Sequence, residues 1–149
     1  MRAIIIGCGR VGARVAAELD SRGEHVTVID SSPRAFSRLP PSFKGETVRG
    51  NGTDEDVVRS AGAEQADIVM TLTEGDNRNA LAAQLAKHTF GVPRVIAATQ
   101  LTSGGTFRGT TVFTETGITG PAQVIYLPLR PGCEFQPFQL REAIRPRGD

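Results

Sequence analysis

Three glycines near the start of the chain stand at a spacing that suits a phosphate group. Gly7, Gly9 and Gly12 form a Gly-x-Gly-x-x-Gly pattern directly after the apolar residues 3–6. In such a loop the first glycine permits a tight turn, the second lets the backbone approach a pyrophosphate, and the third lets helix and strand pack closely. The N-terminus of the following helix offers unpaired N–H groups to the anion. Arg10 is a further candidate for phosphate contact, with a solvated arginine as an equal alternative.

A carboxylate lies at the position where a dinucleotide site needs one. Asp30 ends the second apolar run, residues 25–30. A carboxylate there can accept both hydroxyls of an adenosine ribose and repels a 2′-phosphate, so the pattern favours NAD or another adenine nucleotide over NADP. The alternative is that the glycines only turn a corner and Asp30 caps the next turn of the chain. Cys8 is predicted to be a small residue in the turn and not a nucleophile.

The first hundred residues alternate short apolar runs with helical patterns. Strands are predicted at 3–6, 25–30, 47–49, 66–72 and 94–99. Helices are predicted at 11–20, from Pro33 to about 39, from an N-cap at Thr53 to Gly62, and at 76–90 with Ala80, Leu81, Leu85 and Ala86 facing inward. This alternation predicts an α/β, Rossmann-like, doubly wound parallel sheet with helices on both faces.

Residues 100–149 have a different composition, rich in glycine, proline and threonine. We therefore expect a nucleotide-binding domain at 1–99 and an atypical segment at 100–149. Residues 111–116 and 123–127 are candidate strands there, the second as a sixth strand of the sheet. Three interpretations of this segment stay open: it completes the sheet, it forms a dimerisation or hairpin arm, or it is poorly ordered. Its prolines argue against regular structure beyond the candidate strands.

Composition argues against several classes of function. Seventeen basic and 16 acidic residues give a net charge of +1, with no basic stripe for nucleic acid. The two cysteines form neither a disulfide framework nor a metal-ligand cluster, so no metal is expected. No apolar segment approaches the roughly 18 residues of a membrane span, and no signal peptide is evident. A cytoplasmic protein without direct membrane insertion is the expectation.

A second stretch, residues 48–97, carries several spaced motifs. They are Gly50-Asn51-Gly52-Thr53 after the third strand, Ala61-Gly62 at a helix end, Ala66-Asp67 before the fourth strand, and Thr73 with Asp76 and Asn79 leading into an Ala/Leu-rich helix. Together with the glycine loop and Asp30, this stretch resembles the potassium-transport nucleotide-binding domain family, also called the RCK N-terminal or TrkA-N family.

The resemblance implies a regulatory protein and not a catalyst. Such a protein gates a membrane-embedded potassium channel or Trk/Ktr-type transporter, senses NAD(H) or ATP/ADP, and assembles as a homodimer or larger ring at the inner face of the cell membrane. The cofactor-binding residues that the loop and the resemblance indicate are Gly7, Gly9, Arg10, Val11, Gly12, Asp30, Ser31, Asn51, Gly52, Thr53, Thr71, Leu72, Thr73 and Asn79. For Asp76 and Asn79, capping of the long helix is the competing interpretation. After the fifth strand, the segment departs from the family pattern.

Two other function classes compete with this interpretation. An NAD-dependent oxidoreductase needs a substrate region with an acid or base beside the nicotinamide. The only histidines are His25, before the second strand, and His88, near the end of the long helix, and Tyr126 has no lysine four residues on. The chain is therefore predicted not to be an enzyme. An interaction module with a purely structural nucleotide is the third class.

Overall fold

The computed structural model of the protein describes residues 1–98, which form one five-stranded, wholly parallel sheet. The strands are β1 (Arg2–Ile6), β2 (His25–Asp30), β3 (Glu46–Arg49), β4 (Ile68–Thr71) and β5 (Arg94–Ala97), in the order β3-β2-β1-β4-β5. Every neighbouring pair is parallel, which confirms the predicted Rossmann-like fold class. The candidate strands at 111–116 and 123–127, and the rest of the segment 100–149, lie outside the described residues.

Helical segments connect the strands and cover both faces of the sheet, two successive connections on each face. They are α1 (Arg10–Ser21), α2 (Glu55–Ser60) and α3 (Asp76–Gln84), with 3₁₀ turns at Pro33–Arg38 and Ala63–Gln65 and a π-helical turn at Leu85–Thr89 that extends α3. The predicted helix after Pro33 is thus present as a 3₁₀ helix. Nowhere in residues 1–98 does a helix combine the length and apolarity that crossing a membrane requires.

The central strands β1 and β4 are mostly apolar because both faces of the sheet are covered. On one face, Ile5 and Val28 pack with Val15 of α1. On the opposite face, Ile4 and Ile29 pack with residues of α2 and α3. Two aliphatic cores, one on each face, thus cover the central strands of the sheet.

The buried face of α3 differs from the predicted one. Ala86 is buried and Leu85 partly so, as predicted, whereas Ala80 is exposed and Leu81 is 55% exposed. The inward positions before the π-helical turn belong to Asn79 and Ala82. Hydrophobicity alone missed this because a polar residue, Asn79, occupies the inner face and satisfies its amide on backbone groups.

The start of α2 also differs from the prediction by one residue. The N-cap is Asp54, whose carboxylate accepts from the backbone N–H of Asp56 at 2.9 Å and of Val57 at 3.4 Å. The Thr53 hydroxyl instead donates to the Asn51 side-chain oxygen at 2.8 Å. The helix then stops before Gly62, the predicted end, and Gly62 has a left-handed conformation with φ of +88°.

Replacing the N-cap tests this assignment. Asp54→Ala removes the acceptor for two helix N–H groups and is expected to lower the free energy of unfolding by about 1 kcal/mol. Thr53→Ala removes one exposed hydrogen bond outside the helix and is expected to cost roughly half of that or less. Urea unfolding of the two variants measures both effects. A larger loss for Thr53→Ala than for Asp54→Ala would contradict the capping by Asp54.

Candidate functional site

The strand order reverses between β1 and β4: the chain adds β2 and β3 on one side of β1 and then adds β4 and β5 on the other. The carboxyl ends of β1 and β4 lie at this switch point. β1 pairs with β2 on one side and with β4 on the other, so the connections from β1 and β4 leave toward opposite faces. Parallel sheets leave a crevice for ligands at such a point. Its floor is well ordered, since Gly7 N–H donates to the Ile29 oxygen at 2.8 Å and Leu72 N–H donates to the Ile6 oxygen at 2.7 Å.

Two glycines of the loop after β1 are required by the protein itself. Gly7 has φ of +105°, and a Cβ there would lie 2.8 Å from the Leu72 carbonyl oxygen. A Cβ at Gly12 would lie 1.8 Å from the Gly7 carbonyl oxygen. The first contact presses the loop against the peptide after β4, and the second presses α1 against the loop. Both positions therefore exclude every side chain.

Gly9 is under no such constraint from the protein. A Cβ built at Gly9 meets no atom within 4 Å. Its φ of −76° and ψ of −167° are extended values that any residue adopts. Gly9 is exposed and is the N-cap of α1, where no side chain caps the helix and no acidic residue lies in the first turn. The open space above Gly9 therefore faces the unpaired N–H groups of a helix N-terminus, a favourable place for an anion.

Asp30 joins the loops after β1, β2 and β3. Its carboxylate accepts from the Cys8 N–H at 2.7 Å and from the Ser32 N–H at 2.8 Å. Its backbone oxygen accepts from the Gly50 N–H at 3.0 Å. The residue thus caps the turn at Ser32 and also holds the glycine loop. Each carboxylate oxygen keeps further acceptor capacity, so ribose binding at the half-buried Asp30 stays a prediction. Ser31 is the next residue and is exposed.

The loop after β3 closes the crevice on the β2 side. Asn51 is exposed, and its side-chain oxygen accepts from both the N–H and the hydroxyl of Thr53, at 3.0 and 2.8 Å. Gly52 is buried, and a Cβ there would lie 2.1 Å from Cγ2 of Ile6. The loop is therefore pinned to the last residue of β1, beside the glycine loop.

The side after β4 is organised around a buried amide. Asn79 is 1% exposed, and its oxygen accepts from Thr73 N–H at 2.9 Å and from the Thr73 hydroxyl at 2.7 Å. Its NH₂ group donates to the carbonyl oxygens of Thr73 at 2.9 Å and Ala98 at 2.6 Å. The hydroxyl of fully buried Thr71 donates to the Asn79 backbone oxygen at 3.0 Å. Asn79 and Thr71 therefore support the crevice from behind, whereas half-buried Leu72 and Thr73 lie against Gly7.

The thiol of Cys8, within the glycine loop, is unreactive near neutral pH. Burial raises the pKa of Cys8 to about 11, the nearby Asp30 carboxylate adds to this, and the Arg38 charge opposes it. The thiol is thus neutral near pH 7 and cannot act there as a thiolate nucleophile. Within residues 1–98, no cluster of three or more histidine, cysteine or acidic residues is placed to hold a metal.

Sequence reasoning and structure agree on which segments meet at the crevice. The glycine loop, Asp30, the loop at Gly52 and the turn at Thr73 converge there, with exposed Arg10 in the first turn of α1. Val11 is half-buried and packs against the core of its face. Nothing in the sequence signals the backbone N–H of Cys8 as a partner of Asp30. The hydrogen bond from Asn79 to Ala98 has only a weak indication in the sequence, namely a polar residue inside an alanine-rich helix.

Comparison with known proteins finds a matching domain family and similar potassium uptake proteins. The profile of the TrkA-N domain matches residues 3–110. The chain is similar to the Trk system potassium uptake protein TrkA of Streptomyces coelicolor, 45% identical over 97 residues that cover 65% of this chain and 44% of that protein. It is also similar to the TrkA homolog of Pyrococcus abyssi, 33% identical over 105 residues covering 70% and 45%. The chain spans less than half the length of these curated relatives.

Solved structures share the fold. The TrkA-N domain of the inner membrane protein ybaL from Escherichia coli has a TM-score of 0.59 at 22% identity, covering 65% of this chain and 71% of that one. The GsuK RCK domain has a TM-score of 0.55 at 27% identity, covering 65% and 20%. A UDP-galactose 4-epimerase has a TM-score of 0.54 at 22% identity, covering 68% and 39%. The fold by itself therefore does not separate regulators from enzymes.

The glycine loop yields a stability prediction. Gly12→Ala forces a methyl group into the Gly7 carbonyl and is expected to lower the free energy of unfolding by about 3 kcal/mol or more. Gly9→Ala meets no atom and is expected to change it by less than about 1 kcal/mol. Urea unfolding of both variants is the measurement. Equal losses would show that the two glycines serve the same structural purpose.

The Cys8 thiol yields a pH prediction. Its pKa of about 11 in the folded protein exceeds the 9.0 of an ordinary thiol, so the folded state retains the proton that the unfolded state loses above pH 9. This contribution to stability is complete below pH 9 and is lost as the pH rises toward 11. By pH 10, the loss is about 1.4 kcal/mol.

Two proteins isolate this contribution from other titrating groups. Cys133→Ser alone is compared with the Cys8→Ala/Cys133→Ser double variant by urea unfolding between pH 8 and pH 10. The difference in unfolding free energy between them is expected to shrink by the predicted amount as the pH rises. A difference that stays constant with pH would show that the Cys8 thiol ionises normally.

Proposed function

The chain belongs to the TrkA-N domain family, and we propose that residues 1–99 bind an adenine nucleotide in the crevice and thereby regulate potassium transport. The ligand is NAD(H) or ATP/ADP. The partner is a membrane-embedded potassium channel or Trk/Ktr-type transporter, which the protein meets as a homodimer or larger ring at the cytoplasmic face of the membrane. Residues 100–149 form a separate, atypical segment of this regulator. The Trk potassium uptake names of the relatives support the assignment to potassium transport.

The open face at Gly9 carries this proposal. Gly7 and Gly12 are glycines because the fold leaves no room for a side chain, whereas nothing within 4 Å explains glycine at position 9. A pyrophosphate lying above Gly9 does explain it, because its oxygens must come within hydrogen-bonding distance of the backbone. The same space receives the positive end of α1.

The remaining residues of the crevice each have a proposed part in binding. The half-buried Asp30 carboxylate accepts the ribose hydroxyls beside its two backbone bonds, with Ser31 adjacent. Asn51, Gly52 and Thr53 flank the adenine. Val11 and Arg10 adjoin the phosphates at the start of α1. The second phosphate or the nicotinamide lies along Thr71, Leu72 and Thr73, with Asn79 behind them.

A regulatory role fits these groups better than catalysis does. Cys8, the cysteine within the glycine loop, is buried, and its thiol is neutral near pH 7 because its pKa is raised to about 11. The same fold occurs in the Kef CTD from Shewanella denitrificans in an AMP-bound form and in the TrkA-N domain of the inner membrane protein ybaL from Escherichia coli. The signal is a shift in population between two arrangements of protomers, and a nucleotide biases it only by its difference in affinity for them. A ten-fold preference supplies about 1.4 kcal/mol per site, so a steep response requires several coupled subunits.

Calorimetric titration of the nucleotide-stripped protein with NAD, NADH, ATP, ADP and NADP tests the proposal. The full chain is expected to bind at least one of the first four with micromolar affinity and to bind NADP more weakly, because Asp30 repels a 2′-phosphate. Gly9→Ala is expected to weaken binding at least ten-fold, because its methyl group occupies the place of the pyrophosphate.

Gly23→Ala is the matched control for this titration. Gly23 has φ of +80° and open space around its Cβ position, so alanine strains the backbone in the turn after α1 without entering the crevice. The variant is expected to lose about 1 kcal/mol of stability and to keep its nucleotide affinity. Absence of binding in the wild-type chain, or equal binding by Gly9→Ala, would mean that the glycines only turn a corner.

A further inference from the structure

Asn79 is a polar residue buried where an alanine or leucine would continue the pattern of its helix. It is 1% exposed, and both its amide oxygen and its NH₂ group make two hydrogen bonds. That uses the whole capacity of a carboxamide. Capping is not its role, because the N-cap of α3 is Gly75 and Asn79 lies beyond the first turn. Its side chain instead connects parts of the chain that are far apart in sequence.

The four bonds of this amide join two places. The oxygen receives the N–H and the hydroxyl of Thr73, the residue whose peptide lies against Gly7 at the crevice. The NH₂ group donates to the Thr73 oxygen and, at 2.6 Å, to the oxygen of Ala98, directly after β5. Ala98 is held on its other side as well, since its N–H donates to the Thr71 oxygen at 2.9 Å.

We propose that Asn79 is a positioning residue that couples the crevice at Thr73 to the chain leaving β5 at Ala98. A carboxamide is planar, so its oxygen and nitrogen move together. A ligand that shifts the Thr73 N–H or hydroxyl therefore tilts the whole group and changes the bond to Ala98. Ala98 is the point from which the chain continues into residues 99–149. The inference rests on the proposed function in one respect, that the group shifting Thr73 is a bound nucleotide.

Residue chemistry explains why asparagine suits this position. An aspartate offers oxygen acceptors for Thr73 but no N–H donors: the ionised form can hold neither the Thr73 nor the Ala98 carbonyl, and the protonated form has one O–H where asparagine has two N–H groups. A leucine or alanine offers neither, and would leave the Thr73 N–H and the oxygen of Ala98 without this partner where both residues are half-buried. Single substitutions can therefore test the two ends of the link separately: Thr73→Val alters the end at the crevice, and Asn79→Asp alters the end at Ala98.

The first test needs no nucleotide and reads the link directly. Thr73→Val keeps the Thr73 N–H and removes the hydroxyl bonded to Asn79. Hydrogen exchange of the Ala98 amide, measured by NMR on the full chain, is expected to become at least three-fold faster. Thr47→Val on the exposed edge of β3 and Asn77→Ala on the exposed face of α3 are matched controls expected to leave that rate unchanged. An unchanged Ala98 rate in Thr73→Val would overturn the proposal.

The second test adds saturating NAD, with ADP as a second probe. In the wild-type chain, the ligand is expected to slow exchange at both Thr73 and Ala98 by at least three-fold. Asn79→Asp keeps oxygen acceptors for the Thr73 N–H and hydroxyl and loses the N–H donors to the Thr73 and Ala98 carbonyls. In this variant the effect is expected to persist at Thr73 and disappear at Ala98. An Ala98 response of wild-type size in this variant would overturn the coupling.

The two tests separate the two proposals. If none of NAD, NADH, ATP and ADP binds the wild-type chain, the proposed function fails, while the ligand-free comparison of Thr73→Val with its controls still decides whether Asn79 links the two places. If Asn79→Asp does not fold, the same ligand-free comparison decides. If a nucleotide binds but Thr73→Val leaves the exchange rate of the Ala98 amide unchanged, the proposed function stands and the coupling role of Asn79 is refuted.

Discussion

The close approach of α1 to the end of β1 is the constraint on which the rest of the crevice depends. With a Cβ at Gly12 placed only 1.8 Å from the Gly7 oxygen, helix and loop are in backbone contact. That contact leaves the N-terminus of α1 directly above the carboxyl end of the sheet. Any larger residue at either position would lift the helix and withdraw its N–H groups from the crevice. The positive end of the helix is thus positioned by the absence of side chains.

Asp30 shows how one residue serves both the fold and the proposed ligand. Its carboxylate is engaged by the N–H groups of Cys8 and Ser32 before any ligand arrives. A carboxylate held by two backbone donors is already oriented, so ribose binding costs little further ordering. Under the proposed function, these two bonds hold the glycine loop in the same place with or without a nucleotide. That suits a regulator whose nucleotide exchanges, because loss of the ligand does not collapse the loop that must receive the next one.

The sequence was informative where one physical rule decided the outcome. Buried parallel strands read as apolar runs, and all five were predicted with small differences at their ends. Gly7 and Gly12 were predictable because the backbone contacts at these two positions tolerate no other residue. The inner face of α3 was predicted incorrectly at Leu81, since hydrophobicity cannot anticipate an asparagine that finds four partners inside the protein. The N-cap was misplaced by one residue because Thr53 and Asp54 are both good caps, and the hydrogen bond to Asn51 withdraws the first.

The crevice has the Asp30 carboxylate at one end and the N–H and hydroxyl of Thr73 at the other. This difference bears on how a sensor would distinguish one nucleotide from another. NAD, ATP and ADP share the adenosine half, which under the proposed function lies on the side of Asp30. Discrimination among them must therefore arise where they differ, toward the turn after β4. There, Asn79 takes up both the N–H and the hydroxyl proton of Thr73. A group that competes for either one acts on the same amide that holds Ala98, so the place where the nucleotides differ is also the place connected to the chain beyond the sheet.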